Sequence, residues 1–278
     1  VLMNFSGDYF EARIYQGIHH TLVRANYVPI ALMPTEDASV LQQIHSLLDR
    51  RVDGIVLRPS GDAKWESHLH EAVERQVPVV SVDTETQAEN HRIDFVGTDD
   101  FNGGRLVAQR FLAAGHRHLA VITTGGFGDP MQSRRSGFES GVTDQQDATC
   151  VCITQPWVEF EMDSPNVALR LLGLEPRPTA IFVTMDKLAV GVFNAAKQLG
   201  LRIPQDLSVV GFADEPLAAR LSPGLTTLRQ QPLRIGQLSA ELLLERIRTK
   251  DTQDARKRIL IEPDWVERES LSEIQPTP

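Results

Sequence analysis

Ser208-Val209-Val210-Gly211-Phe212-Ala213-Asp214-Glu215-Pro216, followed by Leu221-Ser222-Pro223-Gly224-Leu225-Thr226-Thr227-Leu228-Arg229-Gln230, is the stretch that decides the fold. A short apolar run closed by glycine reads as a buried strand. A polar loop then crosses to a second short strand, which leads into a helix beginning near Pro232. Such a unit puts loop residues at the carboxyl end of a strand, where open α/β sheets bind ligands.

The same alternation extends outward from this stretch. Apolar, β-rich runs recur around Ala31 and at 54–57, 77–82, 93–96, 119–124, 180–184 and 207–212. Amphipathic helical stretches lie between them, at 11–26, 38–51, 65–75, 103–114, 165–172 and 187–199. Residues 231–248 read as one long helix, Arg258-Ile259-Leu260-Ile261 as a final strand, and 275–278 as a frayed tail. Strand–helix–strand alternation of this kind builds parallel sheets covered by helices on both faces, with right-handed crossovers. The fold class is therefore α/β. Gly115 and Gly200 each follow a helical stretch where a left-handed C-cap is needed, and Pro204 prevents the second helix from resuming. Asp37 and Asp100 are placed to act as N-caps.

Composition narrows the function classes. The chain has 278 residues, about two domains' worth. It is 41% hydrophobic and only 6% aromatic, so its cores are aliphatic. No apolar run reaches the ~18 residues of a membrane span, and no secretory signal is visible. The net charge of −9 argues against this chain gripping DNA by itself. It opens directly in a strand-like run, Val1 to Phe5, without an initiator methionine, and so reads as a fragment with residues missing upstream. Cys150 and Cys152 are the two cysteines. On a strand they share a face, and they read as reduced small hydrophobes rather than a redox pair.

Many segments resemble, in order and spacing, the lactose-repressor/galactose-repressor family of bacterial transcription regulators. The opening stretch is one. Others are Arg50-Arg51-Val52-Asp53-Gly54-Ile55-Val56-Leu57, Val77-Pro78-Val79-Val80-Ser81-Val82-Asp83 and Asp99-Asp100-Phe101-Asn102-Gly103-Gly104-Arg105-Leu106. Further along come Gly115-His116-Arg117-His118-Leu119-Ala120-Val121-Ile122, Arg134-Arg135-Ser136-Gly137-Phe138, Arg177-Pro178-Thr179-Ala180-Ile181-Phe182 leading to Asp186, and Val266-Glu267-Arg268-Glu269-Ser270.

The resemblance implies two Rossmann-like lobes joined by three crossings, as in type I periplasmic-binding-protein-like folds. The expected N-terminal lobe is 1–117 plus 230–258 and the C-terminal lobe 118–229 plus 259–278, the long helix returning to the first lobe and the last strand to the second. It further implies a cytoplasmic homodimer that senses a sugar-like effector in the interlobe cleft. Operator DNA would be bound through a helix-turn-helix headpiece preceding Val1. Neither catalysis nor a membrane partner is expected.

Carried over position by position, the effector-facing residues are Tyr9 and Phe10, an aromatic pair after the first strand; Arg134, whose planar fork suits hydroxyl pairs or a carboxylate; and Trp157, a stacking platform for a sugar ring. Met185, Asp186 and Ala213 complete the set. Met185 stands where the family often has Asn, and Ala213 where an Asp usually chelates ligand hydroxyls. Losing both partners points away from a hexose held in the usual way, towards an effector that is less polar at that end or that carries an anion.

Other chemistries are weaker. Gly125-Gly126-Phe127-Gly128 lacks the full dinucleotide spacing and a following lysine, so no nucleotide or other cofactor is expected. His19-His20, His68-x-His70 and His116-x-His118 lack metal-ligand spacing. Asp99-Asp100 reads as helix capping before acid–base chemistry. The rival reading is a periplasmic sugar-binding protein of a transport system, which shares the two-lobed fold and which fold alone does not separate.

Overall fold

The computed structural model describes residues 1, 9–32, 40–59, 65–86, 93–124, 130–155, 165–250 and 255–274. In chain order its elements are α1 (Tyr9–Arg24), α2 (Val40–Asp49), β1 (Ile55–Leu57), α3 (Trp65–Glu74), β2 (Val79–Val82), β3 (Asp94–Thr98), α4 (Asp100–Ala113), β4 (His118–Thr123) and α5 (Pro130–Thr143). There follow β5 (Thr149–Thr154), α6 (Asn166–Leu172), β6 (Ala180–Val183), α7 (Leu188–Gln198), β7 (Ser208–Val210), β8 (Thr227–Arg229), α8 (Pro232–Thr249), β9 (Arg258–Ile261) and β10 (Asp264–Val266). They form two compact units, Val1–Thr98 with Gln231–Ile261 and Asp99–Gln230 with Glu262–Pro278, so the chain passes between units three times.

The first unit is built on a parallel sheet of order β1-β2-β3-β9, in the register Ile55↔Val79, Val80↔Asp94 and Val96↔Ile259. Every residue of β1, β2 and β3 is buried, as a parallel sheet covered on both faces requires. Strand alternation sorts the faces. Val56, Val80, Val82 and Val96 meet Ile14, Ile18 and Leu22 of α1 and Ile235, Leu243 and Leu244 of α8. Ile55, Leu57 and Val79 meet Ile44, Leu47 and Leu48 of α2 and Leu69 and Ala72 of α3. The backbones of α1 and α8 nearly touch: a Cβ on Gly17 would lie 2.3 Å from the Leu233 carbonyl oxygen, and one on Gly236 2.0 Å from that of Ile14.

The last strand of this unit corrects the expectation that it would join the second lobe. β9 pairs with β3 in the first sheet. Buried Asp94 explains the placement. It takes Arg246 of α8 through Nε at 2.8 Å and Nη2 at 2.9 Å, and accepts the Lys257 backbone N–H at 2.8 Å. One carboxylate thus fastens the helix and the strand after it to β3. The strand that does reach the second unit is β10, antiparallel to β8 with Thr227↔Val266.

The second unit has a parallel sheet of order β5-β4-β6-β7. One face packs Leu119, Val121, Phe182 and Val210 on Val107 and Phe111 of α4 and Phe138 of α5. The other packs Ala120, Ile122, Ile181 and Val183 on Leu171 of α6 and Leu188 and Val192 of α7. Residues 99–117 belong to this unit, whereas the sequence expectation ended the first lobe at 117. The reason is the α4–α5 contact, where a Cβ on Gly104 would lie 1.9 Å from the Arg134 carbonyl oxygen and one on Gly137 1.9 Å from that of Phe101.

The glycines after α4 and α7 cap as expected: Gly115 has φ +89° and Gly200 φ +69°. The N-cap of α4 is Asp99, whose side chain accepts the Asn102 N–H at 3.2 Å. Asp100 sits in the first turn instead, and Asp37 lies outside the described residues. His116 is buried, its ring nitrogens on Thr179 Oγ1, Ser208 Oγ and the Ser272 carbonyl. Cys150 and Cys152 are free and half-buried on β5, and burial pushes their thiols up to about 12 and about 11.

Gly104→Ala is expected to destabilise the protein by about 1–3 kcal/mol, because backbone rather than a movable side chain stands in the way. Chemical denaturation of the two forms checks this, and an unchanged midpoint would show that the helices tolerate separation.

Candidate functional site

The carboxyl ends of β4, β6 and β7 bring together most of the residues singled out from sequence. Arg134, early in α5, is buried. Its Nε donates to Asp100 Oδ1 at 2.7 Å and its Nη1 to the Thr184 carbonyl at 2.9 Å. The guanidinium carbon stands 3.9 Å from the centre of the Phe212 ring, a cation–π contact strengthened by desolvation. Arg134 is therefore a fixed cation braced by three elements.

Asp186, just past β6, is wholly buried. Its Oδ1 accepts Thr227 Oγ1 at 2.6 Å and its Oδ2 the Glu215 N–H at 2.8 Å, while its own N–H donates to the Phe212 carbonyl at 3.0 Å. It clasps the turn after β7 to the end of β6. Burial raises its carboxyl to about 6, against the two hydrogen bonds. Met185 is half-buried against the α6–α7 face of the core. Ala213 has φ +119°, a strained value for a residue with a side chain, and donates its N–H to the Leu228 carbonyl at 2.8 Å. Asp214 turns to Arg229 and Arg268, at 2.7 and 2.6 Å. Burial pushes its carboxyl up, but those arginines outweigh it and hold it low.

In the first unit the aromatic pair separates. Tyr9 is 54% exposed at the start of α1, whereas Phe10 packs against the core. Trp157 and residues 125–129 lie outside the described residues. A cavity of about 220 Å³ at the amino end of β1, lined by Leu22, Tyr27, Leu47, Leu243 and Ile247 among others, contains none of the residues singled out.

Sequence reasoning missed several polar groups at the strand ends. Asp100, read from sequence as a cap ahead of acid–base chemistry, is the carboxylate that holds Arg134. Thr124 Oγ1, just past β4, is buried with no hydrogen-bond partner among the described residues. In the first unit Arg58 follows β1 and Asp83 follows β2. Arg58 Nη1 lies 2.7 Å from Glu11 Oε1, and its Nη2 2.7 Å from Asp83 Oδ2. The signal was an arginine directly after a buried apolar run; its partners, 47 and 25 residues away, were invisible. Among the described residues no group of three or more His, Cys, Asp or Glu could hold a metal ion.

Two predictions follow from this geometry. Arg134→Ala takes the cation away from the buried Asp100 carboxylate, so it is expected to cost about 3–5 kcal/mol of stability. Denaturant titration measures this, and a loss below about 1 kcal/mol would mean Asp100 is otherwise satisfied. Asp186 has a folded pKa above its ordinary 3.8. Its contribution is thus complete below about pH 4 and is lost as pH rises through about 6, at no more than about 1.4 kcal/mol per pH unit. The stability difference between the protein and Asp186→Asn is expected to shrink over that window, and melting curves at successive pH values follow it.

A family model for a periplasmic binding protein-like domain matches residues 108–271. The ribose operon repressor of Haemophilus influenzae is 31% identical over 279 residues, covering 98% of this chain and 80% of that protein. The HTH-type transcriptional repressor PurR of Edwardsiella ictaluri is 32% identical over 233 residues, 82% of this chain and 65% of its own. A solved LacI family transcriptional regulator from Enterococcus faecium, with bound ribose, superposes with a TM-score of 0.81 at 23% identity, covering 99% of this chain and 98% of that one. The fold is that of the structural neighbour, and the sequence relatives are repressors, which favours the regulator over the transport reading. The chain belongs to the LacI family of transcriptional regulators and is their periplasmic-binding-protein-like, effector-binding region.

Proposed function

We propose that this region senses a sugar-like molecule and reports its occupancy to operator DNA. The observation that carries the reading is the match to a ribose operon repressor along 98% of the chain, together with polar groups at the strand ends of each unit. Arg134 is assigned to the effector's polar groups, Trp157 to stacking on its ring, and Tyr9 and Phe10 to its aromatic wall. Met185, Asp186 and Ala213 line the strand ends around it. Because Asp186 already accepts two hydrogen bonds, its role is to hold the turn that carries Ala213. Ala213 and Met185 offer no strong hydrogen-bonding group where Asp and Asn would, which suits an effector that is less polar at that end or that carries an anion.

Operator contact is assigned to a helix-turn-helix headpiece in sequence outside the matched 80% of the Haemophilus protein. The net charge of −9 supports leaving phosphate contacts to such a part. A cytoplasmic homodimer, with a self-complementary two-fold interface, would present two headpieces to a palindromic operator. Among the described residues no helix is long and apolar enough to cross a membrane.

The test is operator binding by the full-length regulator, read by fluorescence anisotropy at fixed salt with and without D-ribose and related neutral sugars. A bound sugar is expected to change operator affinity by about 5–150-fold, and operator must change sugar affinity by the same factor. Operator affinity indifferent to every sugar the protein binds would overturn the reading.

A further inference from the structure

The cavity of about 220 Å³ at the amino end of β1 lies at the opposite end of the first unit's sheet from Arg58 and Asp83. Its floor is aliphatic. Leu22 of α1, Leu47 of α2, Val56 of β1 and Leu243 of α8 line it, each less than a tenth exposed. Close packing fixes this floor, since a Cβ on Gly54 would lie 2.8 Å from Leu243 Cδ1. Tyr27 and Ile247 form half-buried sides. An apolar cavity of about 150 Å³ accommodates benzene, so this one has room for a single ring with a short substituent. Small ligands occupy concave, preformed surfaces of this kind, mostly apolar with a few polar groups.

Charged side chains stand only at the mouth. Arg50, Arg51 and Asp53 line it between α2 and β1, and all three are exposed. Arg50 Nη1 donates to the Ser46 carbonyl at 2.9 Å, a neutral partner that leaves its charge uncompensated. Arg51 and Asp53 make no ion pair among the described residues. Two guanidiniums against one carboxylate leave the mouth with a formal charge of +1. Arg51 is also unusual in its backbone. It closes α2 with φ +53°, its N–H on the Leu48 carbonyl at 3.0 Å. The left-handed residue after a helix is most often glycine, as Gly115 and Gly200 are in this chain. Glycine would close α2 without that strain, so the arginine brings something the cap does not need.

We propose that this cavity is a second ligand site, for a small apolar monocarboxylate. The hydrocarbon body fills the aliphatic floor beside Tyr27 and Ile247. Arg51 takes the carboxylate, whose planar pair of oxygens matches the guanidinium fork. One negative charge brings the mouth to formal neutrality, whereas a phosphate dianion overshoots and meets Asp53, and a cation meets two arginines. The site goes beyond the sugar-like effector. Tyr9 and Phe10, assigned to that effector, begin α1, and Leu22 lies near its other end, about 20 Å further along the helix axis.

Calorimetric titration of the full-length regulator tests this with benzoate, phenylacetate and hexanoate, set against benzyl alcohol and benzylamine. At least one carboxylate is expected to bind, and the neutral and cationic compounds at least about tenfold more weakly. Arg51→Gln is expected to weaken that carboxylate by at least about tenfold, while the melting temperature stays close to that of the parent because the side chain is exposed. Ile247→Trp grows an indole into the cavity and is expected to abolish carboxylate binding; should that variant not fold, Arg51→Gln decides alone. An arginine kept only to complement the dipole of α2 would lower the melting temperature when removed and leave the carboxylate's affinity unchanged. No carboxylate binding, an affinity unchanged in Arg51→Gln or in a folded Ile247→Trp, a neutral or cationic compound binding as tightly, or displacement of the carboxylate by D-ribose overturns the proposal. None of these outcomes bears on the effector-sensing reading, which is decided by the response of operator affinity to sugars.

Discussion

Buried carboxylates that grip arginines from distant elements are the interaction on which this architecture depends. Asp94 takes Arg246 from 152 residues away, and by also accepting the Lys257 N–H it decides where α8 and β9 land. Asp100 does the same for Arg134 across 34 residues, fastening α4 to α5. Asp83 and Glu11 close on Arg58 at the ends of β2 and α1. Such pairs add little net stability over apolar packing, but a chain placed so as to strand one partner is heavily penalised. They act as selectors of arrangement within an aliphatic core that many packings would fill.

Two of these pairs stand at the carboxyl ends of parallel strands, where side chains are free to meet a ligand. On the proposed effector-sensing reading, residues that brace each unit would also be its binding groups. Arg134 has its fork committed to Asp100 and Thr184, and Asp186 has one oxygen committed to the turn after β7 and the other to Thr227 at the start of β8. A small molecule arriving there meets groups whose geometry is already set, which lowers the ordering cost of binding.

The period of the apolar pattern was enough to read the central strands and most helices, though not α5, the edge strand β5 or β10, because parallel strands buried on both faces leave continuous aliphatic runs such as Ile55 to Leu57 and Val79 to Val82. The glycine after a helix was legible for a local reason, since only a left-handed residue closes α4 and α7. The destination of β9 was not legible. Its sequence is a strand in either sheet, and the choice is made by Asp94, far away in the chain. The boundary at 98 rather than 117 escaped for the same reason, since Gly104 and Gly137 reveal their close approach only when the two helices are seen together. At the site, the resemblance pointed to Arg134 and Asp186 but not to their partners, because an ion pair leaves no periodic trace.

The near contact of Gly17 in α1 with α8 joins residues more than two hundred positions apart. It carries a consequence for synthesis. Domains generally fold as units while the ribosome delivers the chain from its N-terminus. The stretch 99–230 supplies most of the second unit in one continuous run. The first unit, although translated first, lacks α8 and β9 until residues 231–261 emerge. Until then the Val56–Val80–Val82–Val96 face of its sheet has only α1 to cover it. The nascent chain therefore carries an open apolar surface on its first unit for as long as residues 99–230 are being made.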